Sequence, residues 1–168
     1  MPDNGRTIRG GIATISGGAS RVAEHTNIRD IRLASASAEL KSFAAEGPFT
    51  WDLDISPSAH YQEGDRFFVL AIGYAITIER PDDADGEESD KKPEEVAEIS
   101  FQFAMLCELD EESASSITRE AVEEYTDAAA KIVLGPYVRE YVHDVTMRMG
   151  LPTLVVDILP SWAEQIPS

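Results

Sequence analysis

The side chains that usually do chemistry are few and scattered in this chain. There is a single cysteine, Cys107, and there are three histidines, His25, His60 and His143, in unrelated contexts. One cysteine allows neither an intramolecular disulfide nor a cysteine metal cluster. Three histidines without a shared spacing are a poor basis for a metal site. His143 and Asp144 are neighbours on a helical stretch, so their side chains point different ways. No Ser/His/Asp or Cys/His grouping has the context of a nucleophile and its base. No glycine-rich loop with a following lysine offers to cradle phosphate. The residues therefore predict a protein without catalytic residues, metal or cofactor. The competing reading, a small oligomeric enzyme or ligand-binding domain of α+β type, would need polar groups converging in a pocket.

The totals bound the class. The chain has 168 residues and 43% of them are hydrophobic, enough for one domain with a sizeable core. Acidic residues outnumber basic ones 31 to 14, a net charge of −17. Phosphate backbones would be repelled, so nucleic acid is excluded as a partner; solubility or attraction to basic partners fits instead. No apolar leader and no run long enough to cross a bilayer is found, so the expected place is the cytoplasm without membrane insertion.

The elements follow from periodicity. Residues 1–27 are rich in Gly, Ser, Asn and Thr and read as a flexible segment ahead of a single domain over 28–168. IRDIRLASASAELK alternates from Ser35 on, and WDLDIS alternates strictly, with Trp51, Leu53 and Ile55 against Asp52, Asp54 and Ser56. RFFVLAIGYAITIER puts Phe68, Leu70, Ile72, Tyr74, Ile76 and Ile78 on one face. EISFQFAMLCEL does the same with Ile99, Phe101, Phe103, Met105, Cys107 and Leu109. Between the last two, residues 81–96 form a charged loop that reads as mobile. Short connections between four such strands predict an antiparallel meander.

Helices come next. SSITREAVEEY carries an N-cap serine and an acidic first turn. A longer helix is predicted from about Asp127 to Met149, with Pro136 inside it as a kink, ended by Gly150 and Pro152. Its Val138, Val142, Val145 and Met149 form one apolar stripe, and Leu134, Tyr137 and Tyr141 a second. A helix apolar over more than one face is buried on more than one side. A single sheet covers only one side, so the pattern predicts an oligomer, with the first stripe at the subunit interface.

Particular words in the sequence now carry a resemblance. Pro136-Tyr137-Val138-Arg139-Glu140, followed by Arg148-Met149-Gly150-Leu151-Pro152-Thr153-Leu154, resembles the C-terminal signature of the SecB family of export chaperones. Ala104-Met105-Leu106-Cys107-Glu108-Leu109 is similar to the family's fourth strand, and Trp51-Asp52-Leu53-Asp54 to its second. The resemblance spans roughly residues 28–160. It implies an α+β fold, a four-stranded antiparallel sheet followed by a short and a long helix. It also implies a homotetramer, a dimer of dimers with the long helices between subunits.

The function so implied is that of a holdase. Such a protein binds unfolded or slowly folding polypeptides without ATP, keeps them soluble and competent for export or folding, and passes some to the motor SecA. A related branch serves the antitoxin of a toxin–antitoxin pair. Carried over position by position, the client groove would use Phe43, Phe49, Trp51, Tyr137 and Tyr141. A SecA contact would use Glu39, Leu106 and Glu108 on the polar sheet face. Where an aspartate is expected on the first strand, this chain has Ser35, and no long acidic tail follows the apolar segment; both departures tilt the reading towards a specialised client.

Overall fold

The computed structural model of the chain describes residues 7–8, 16–43, 46–81 and 92–156. Five strands and four helices follow in the order β1 (Thr7–Ile8), α1 (Gly17–Glu24), β2 (Thr26–Leu40), β3 (Thr50–His60), β4 (Phe67–Arg80), β5 (Glu94–Leu109), α2 (Glu111–Ala114), α3 (Arg119–Lys131) and α4 (Gly135–Arg148). They form a sheet followed by helices, the α+β arrangement expected.

The connectivity of the sheet differs from a meander. Its order is β1-β3-β4-β5-β2. The expectation put β2 beside β3, but β2 pairs antiparallel with β5, from Thr26↔Leu109 to Leu40↔Ala97. Alternation assigns each residue to a face and is silent about which strand lies alongside. The segment after β2 must therefore carry the chain from one edge of the sheet to the other. Lys41 and Ser42 begin it by donating to the Val96 carbonyl. At the far edge, β1 adds to β3 in parallel, Thr7↔Asp52 and Ile8↔Leu53.

One face of the sheet is the core. Leu70, Ile72 and Ile76 of β4 and Ile99, Met105, Cys107 and Leu109 of β5 are fully shielded from solvent. Because the β3–β4 and β4–β5 ladders keep register, Ile55, Tyr74 and Phe101 form one cross-strand row and Leu53, Ile76 and Ile99 the next. Such rows are the unit of sheet stabilisation. At about 25 cal/mol per Å² of apolar surface, each large side chain buried here contributes about 1.5–3 kcal/mol.

Three boundaries moved. The N-terminal segment was expected to be flexible through residue 27, yet α1 forms over Gly17–Glu24 and buries Ala19 and Val22. Ser16 caps it, accepting from the Ala19 amide at 3.1 Å, and its hydroxyl also donates to Glu124 on α3. The predicted loop 81–96 gives up its last three residues to β5, where Val96 is fully buried; 82–91 lie outside the described residues. The single long helix is two, α3 and α4, separated at residues 132–134. Pro136 stands in the first turn of α4, where its missing N–H has no intrahelical acceptor to lose. It starts a helix and does not kink one. The C-terminal stop is as expected: Gly150 adopts φ +72 and the Leu151 amide donates to Thr146 at 3.0 Å.

Candidate functional site

The aromatic side chains divide into two groups. On β5, Phe101 and Phe103 project from the core face, and α4 lays Tyr141 against Phe101 (ring centroids 4.5 Å) and Tyr137 edge-on against Phe103 (6.0 Å). Tyr74 stacks on Phe101 at 5.2 Å. Its hydroxyl donates to the Ala130 carbonyl at 2.7 Å, which fixes the inner end of the cluster to α3. Burial raises the Tyr74 and Tyr141 hydroxyls above their ordinary range; for Tyr141 the nearby Asp144 adds to this. These are packing aromatics kept neutral.

The cluster opens at its outer end. Tyr137 is 43% exposed, and Leu33, which β2 sets opposite Phe103, is 45% exposed. Ile28, further along β2 and opposite Cys107, is exposed as well. An apolar strip thus runs along β2 towards Tyr137 of α4 without cover from the described residues. Contiguous exposed apolar surface of this kind marks a binding or subunit surface.

The second group lies at the end of the sheet where the crossing segment passes. Phe43 is 92% exposed. Phe49 and Trp51 are half-buried and pack against the core. Among the described residues, no ring contact joins these three to Tyr137 or Tyr141.

The expected interface stripe points elsewhere. Val138 and Val142 are completely buried in the subunit's own core, and Val145 and Met149 pack against it. Both apolar stripes of α4 fit within the arc that faces the sheet. Its outer side shows Pro136, Arg139, Glu140, His143 and Met147, of which Met147 is the large apolar one at 58% exposure.

The polar sheet face also sorts its candidates. Glu39 is exposed, opposite Glu98, and Lys41 bridges Glu95 and Glu98. Leu106 is exposed. Glu108 is not the free carboxylate expected: it is 6% exposed and ion-paired with Arg29 and Arg66. The two arginines approach from β2 and from the turn before β4, a placement no local pattern announces.

Little here suits catalysis. A shallow hollow of about 320 Å³ on the open face is lined mostly by small and hydroxyl residues, among them Ser35, Ser56, Gly73 and Ser100, and by no histidine, cysteine, carboxylate or basic side chain. Burial pushes the Cys107 thiol up to about 12, which leaves it protonated at neutral pH. Among the described residues, no three His, Cys, Asp or Glu side chains are grouped to hold a metal ion, and no helix is long and apolar enough to cross a membrane.

With that geometry in view, the likenesses to known proteins can be placed. No family model matches the chain. The SecB-like chaperone Rv1957 of Mycobacterium tuberculosis strain H37Rv is 34% identical over 147 residues, covering 83% of this chain and 81% of its own length. The SecB-like chaperone MT2006 of strain CDC 1551 aligns equally. A solved structure of the Rv1957 SecB-like chaperone, in complex with a ChAD peptide from the Rv1956 HigA1 antitoxin, superposes with a TM-score of 0.70 at 29% identity. That match covers 86% of this chain and 98% of the other.

Proposed function

Because this chain belongs to the family of SecB-like chaperones, we propose that it is an ATP-independent holdase with a dedicated client, a polypeptide of the antitoxin kind. The carrying observation is the uncovered apolar strip of Ile28, Leu33 and Tyr137, backed by the packed aromatics Phe101, Phe103 and Tyr141. An unfolded segment presents apolar side chains, and rigid aromatics offer large contact area at low entropic cost. The relative solved with an antitoxin peptide supports this choice of client. Exposed Phe43, together with half-buried Phe49 and Trp51, is the proposed second contact for a long client. The charge of −17 keeps a chaperone with open apolar surface from associating with itself at random.

Part of the apolar strip would serve assembly. β2 is a long edge strand, and a second copy laid against it would satisfy its free backbone groups. A homotetramer in the cytoplasm is the proposed working form. Delivery to SecA is the weaker branch: Leu106 and Glu39 are available for it, but Glu108 is engaged internally.

The test is aggregation of a chemically unfolded, slow-folding protein diluted into buffer without nucleotide, beside an aggregation-prone antitoxin. Suppression at near-stoichiometric amounts is expected, strongest for the antitoxin. Tyr137→Asp should abolish it while leaving the far-ultraviolet circular dichroism unchanged. No suppression of either substrate would end the holdase reading.

A further inference from the structure

The far edge of the sheet carries a feature that the apolar strip does not explain. β3 is eleven residues long, and among the described residues β1 covers two of them, Asp52 and Leu53. The β3–β4 register runs unbroken from Thr50↔Glu79 to His60↔Val69, so alternate residues of β3 point their backbone groups outward. Pro57 sits within this strand. A proline is tolerated where its missing N–H would have faced away from the ladder, which assigns Pro57, Ile55, Leu53 and Trp51 to the outward set. The edge is thus competent from Trp51 to Ile55 and blunted at Pro57.

The side chains flanking that edge have two characters. Towards the core lie Leu53, buried, and Trp51 and Ile55, half-buried. Towards the open face lie Asp52 and Asp54, both exposed. A strand added here would meet apolar surface on one side and carboxylates on the other. The chain's own N-terminal segment reads Arg6-Thr7-Ile8-Arg9, an apolar residue among polar and basic ones.

We propose that the β3 edge is a strand-addition site for an extended polypeptide that alternates apolar with basic residues, and that β1 is a strap occupying it at rest. Backbone pairing gives the contact its affinity and the alternate side chains give it selectivity. A client segment displaces the two-residue strap and gains the rung at Ile55 as well. This deepens the holdase reading, on which it rests for its client.

A short fluorescein-labelled peptide alternating valine and lysine tests it by fluorescence anisotropy on the full chain and on a chain lacking residues 1–8. Removal of the strap is expected to tighten binding several-fold. Methylating alternate backbone nitrogens of the peptide, which leaves every side chain in place, should weaken binding by about tenfold. Replacing its lysines by glutamates, or Asp52→Asn with Asp54→Asn in the protein, should weaken it too. No binding, binding insensitive to N-methylation, or unchanged affinity after removal of the strap each overturns the proposal. The holdase reading fails separately, through aggregation of whole clients: a chain that suppresses aggregation but ignores N-methylation loses only the strand-addition site.

Discussion

β4 and β2 are nearly equal in length, 14 and 15 residues, and lie in one sheet, but they lead opposite lives. β4 is central, with neighbours on both sides, and every second residue is sealed beneath the helices. β2 is an edge, exposed along almost its whole length, with Ile28 and Leu33 uncovered. Helix α3 meets β4 through Tyr125 and Ala130, and α4 meets β5 through Tyr137 and Tyr141. One strand builds the core; the other stays exposed in the subunit. The same apolar residue type is therefore core on β4 and exposed surface on β2.

The largest contrast should come from one substitution made twice. Leu70→Ala on β4 removes a fully buried side chain and should cost about 2–5 kcal/mol in urea unfolding. A loss below about 1 kcal/mol would mean that the β4 face is loosely packed.

Alkali should reach the covered region next. Burial raises Cys107 from 9.0 to about 12 and Tyr125 from 10.0 to about 12, the tyrosine being helped by its neighbour Cys107. Both groups are held neutral in the folded state, so their contribution is complete below about pH 9 and is lost as pH climbs towards 12. Thermal unfolding followed from pH 7 to 11 should show a falling midpoint only above about pH 9, with Cys107 unreactive to a thiol reagent at pH 7 until the chain unfolds. Rapid labelling of the native protein would contradict the burial of β5.

A smaller effect is expected where the two regions meet. Glu108→Ala strips the partner from Arg29 and Arg66 and should cost about 1–2 kcal/mol, since both arginines are half-exposed and can hydrate. The loss should shrink in high salt. A cost that salt does not alter would assign Glu108 a packing role instead.

The smallest effect sharpens the comparison most. Leu33→Ala on β2 should change dilute-protein stability by less than about 0.5 kcal/mol. Leu33→Asp should leave the subunit folded yet lower its mass by sedimentation if a second copy sits there. A cost for Leu33→Ala like that for Leu70→Ala, growing with protein concentration, would show that β2 is covered in solution.

Legibility followed the same divide. The β4 and β5 faces were readable residue by residue, because strict alternation leaves only one face to bury. So were the glycine stop at Gly150 and the likeness carried by the Pro-Tyr-x-Arg-Glu run. The helix break at 132–134 was missed because Ala128 to Lys131 are good helix formers, the apolar spacing continues through Leu134, and only Pro136 hinted at a new start. Helix α1 was missed because its glycines argue for a loop, whereas its docking on α3 pays for them through Ala19, Val22 and the Ser16–Glu124 bond. The open strip on β2 lay in IRDIRL, ahead of the clean alternation, where bulges between Ile28 and Asp30 and between Leu33 and Ser35 blur the period.

By itself the sequence determined which residues can face one another: the apolar faces of four strands, the stop after α4, and the strong negative charge. These are local or summed properties, set by period and composition. Only the tertiary structure decided which strand became an edge, that Val138 and Val142 turned inward while Leu33 stayed out, and that Glu108 was captured by two arginines. Those outcomes depend on pairing between segments far apart in the chain, and a residue's own period carries no record of the strand that will lie beside it.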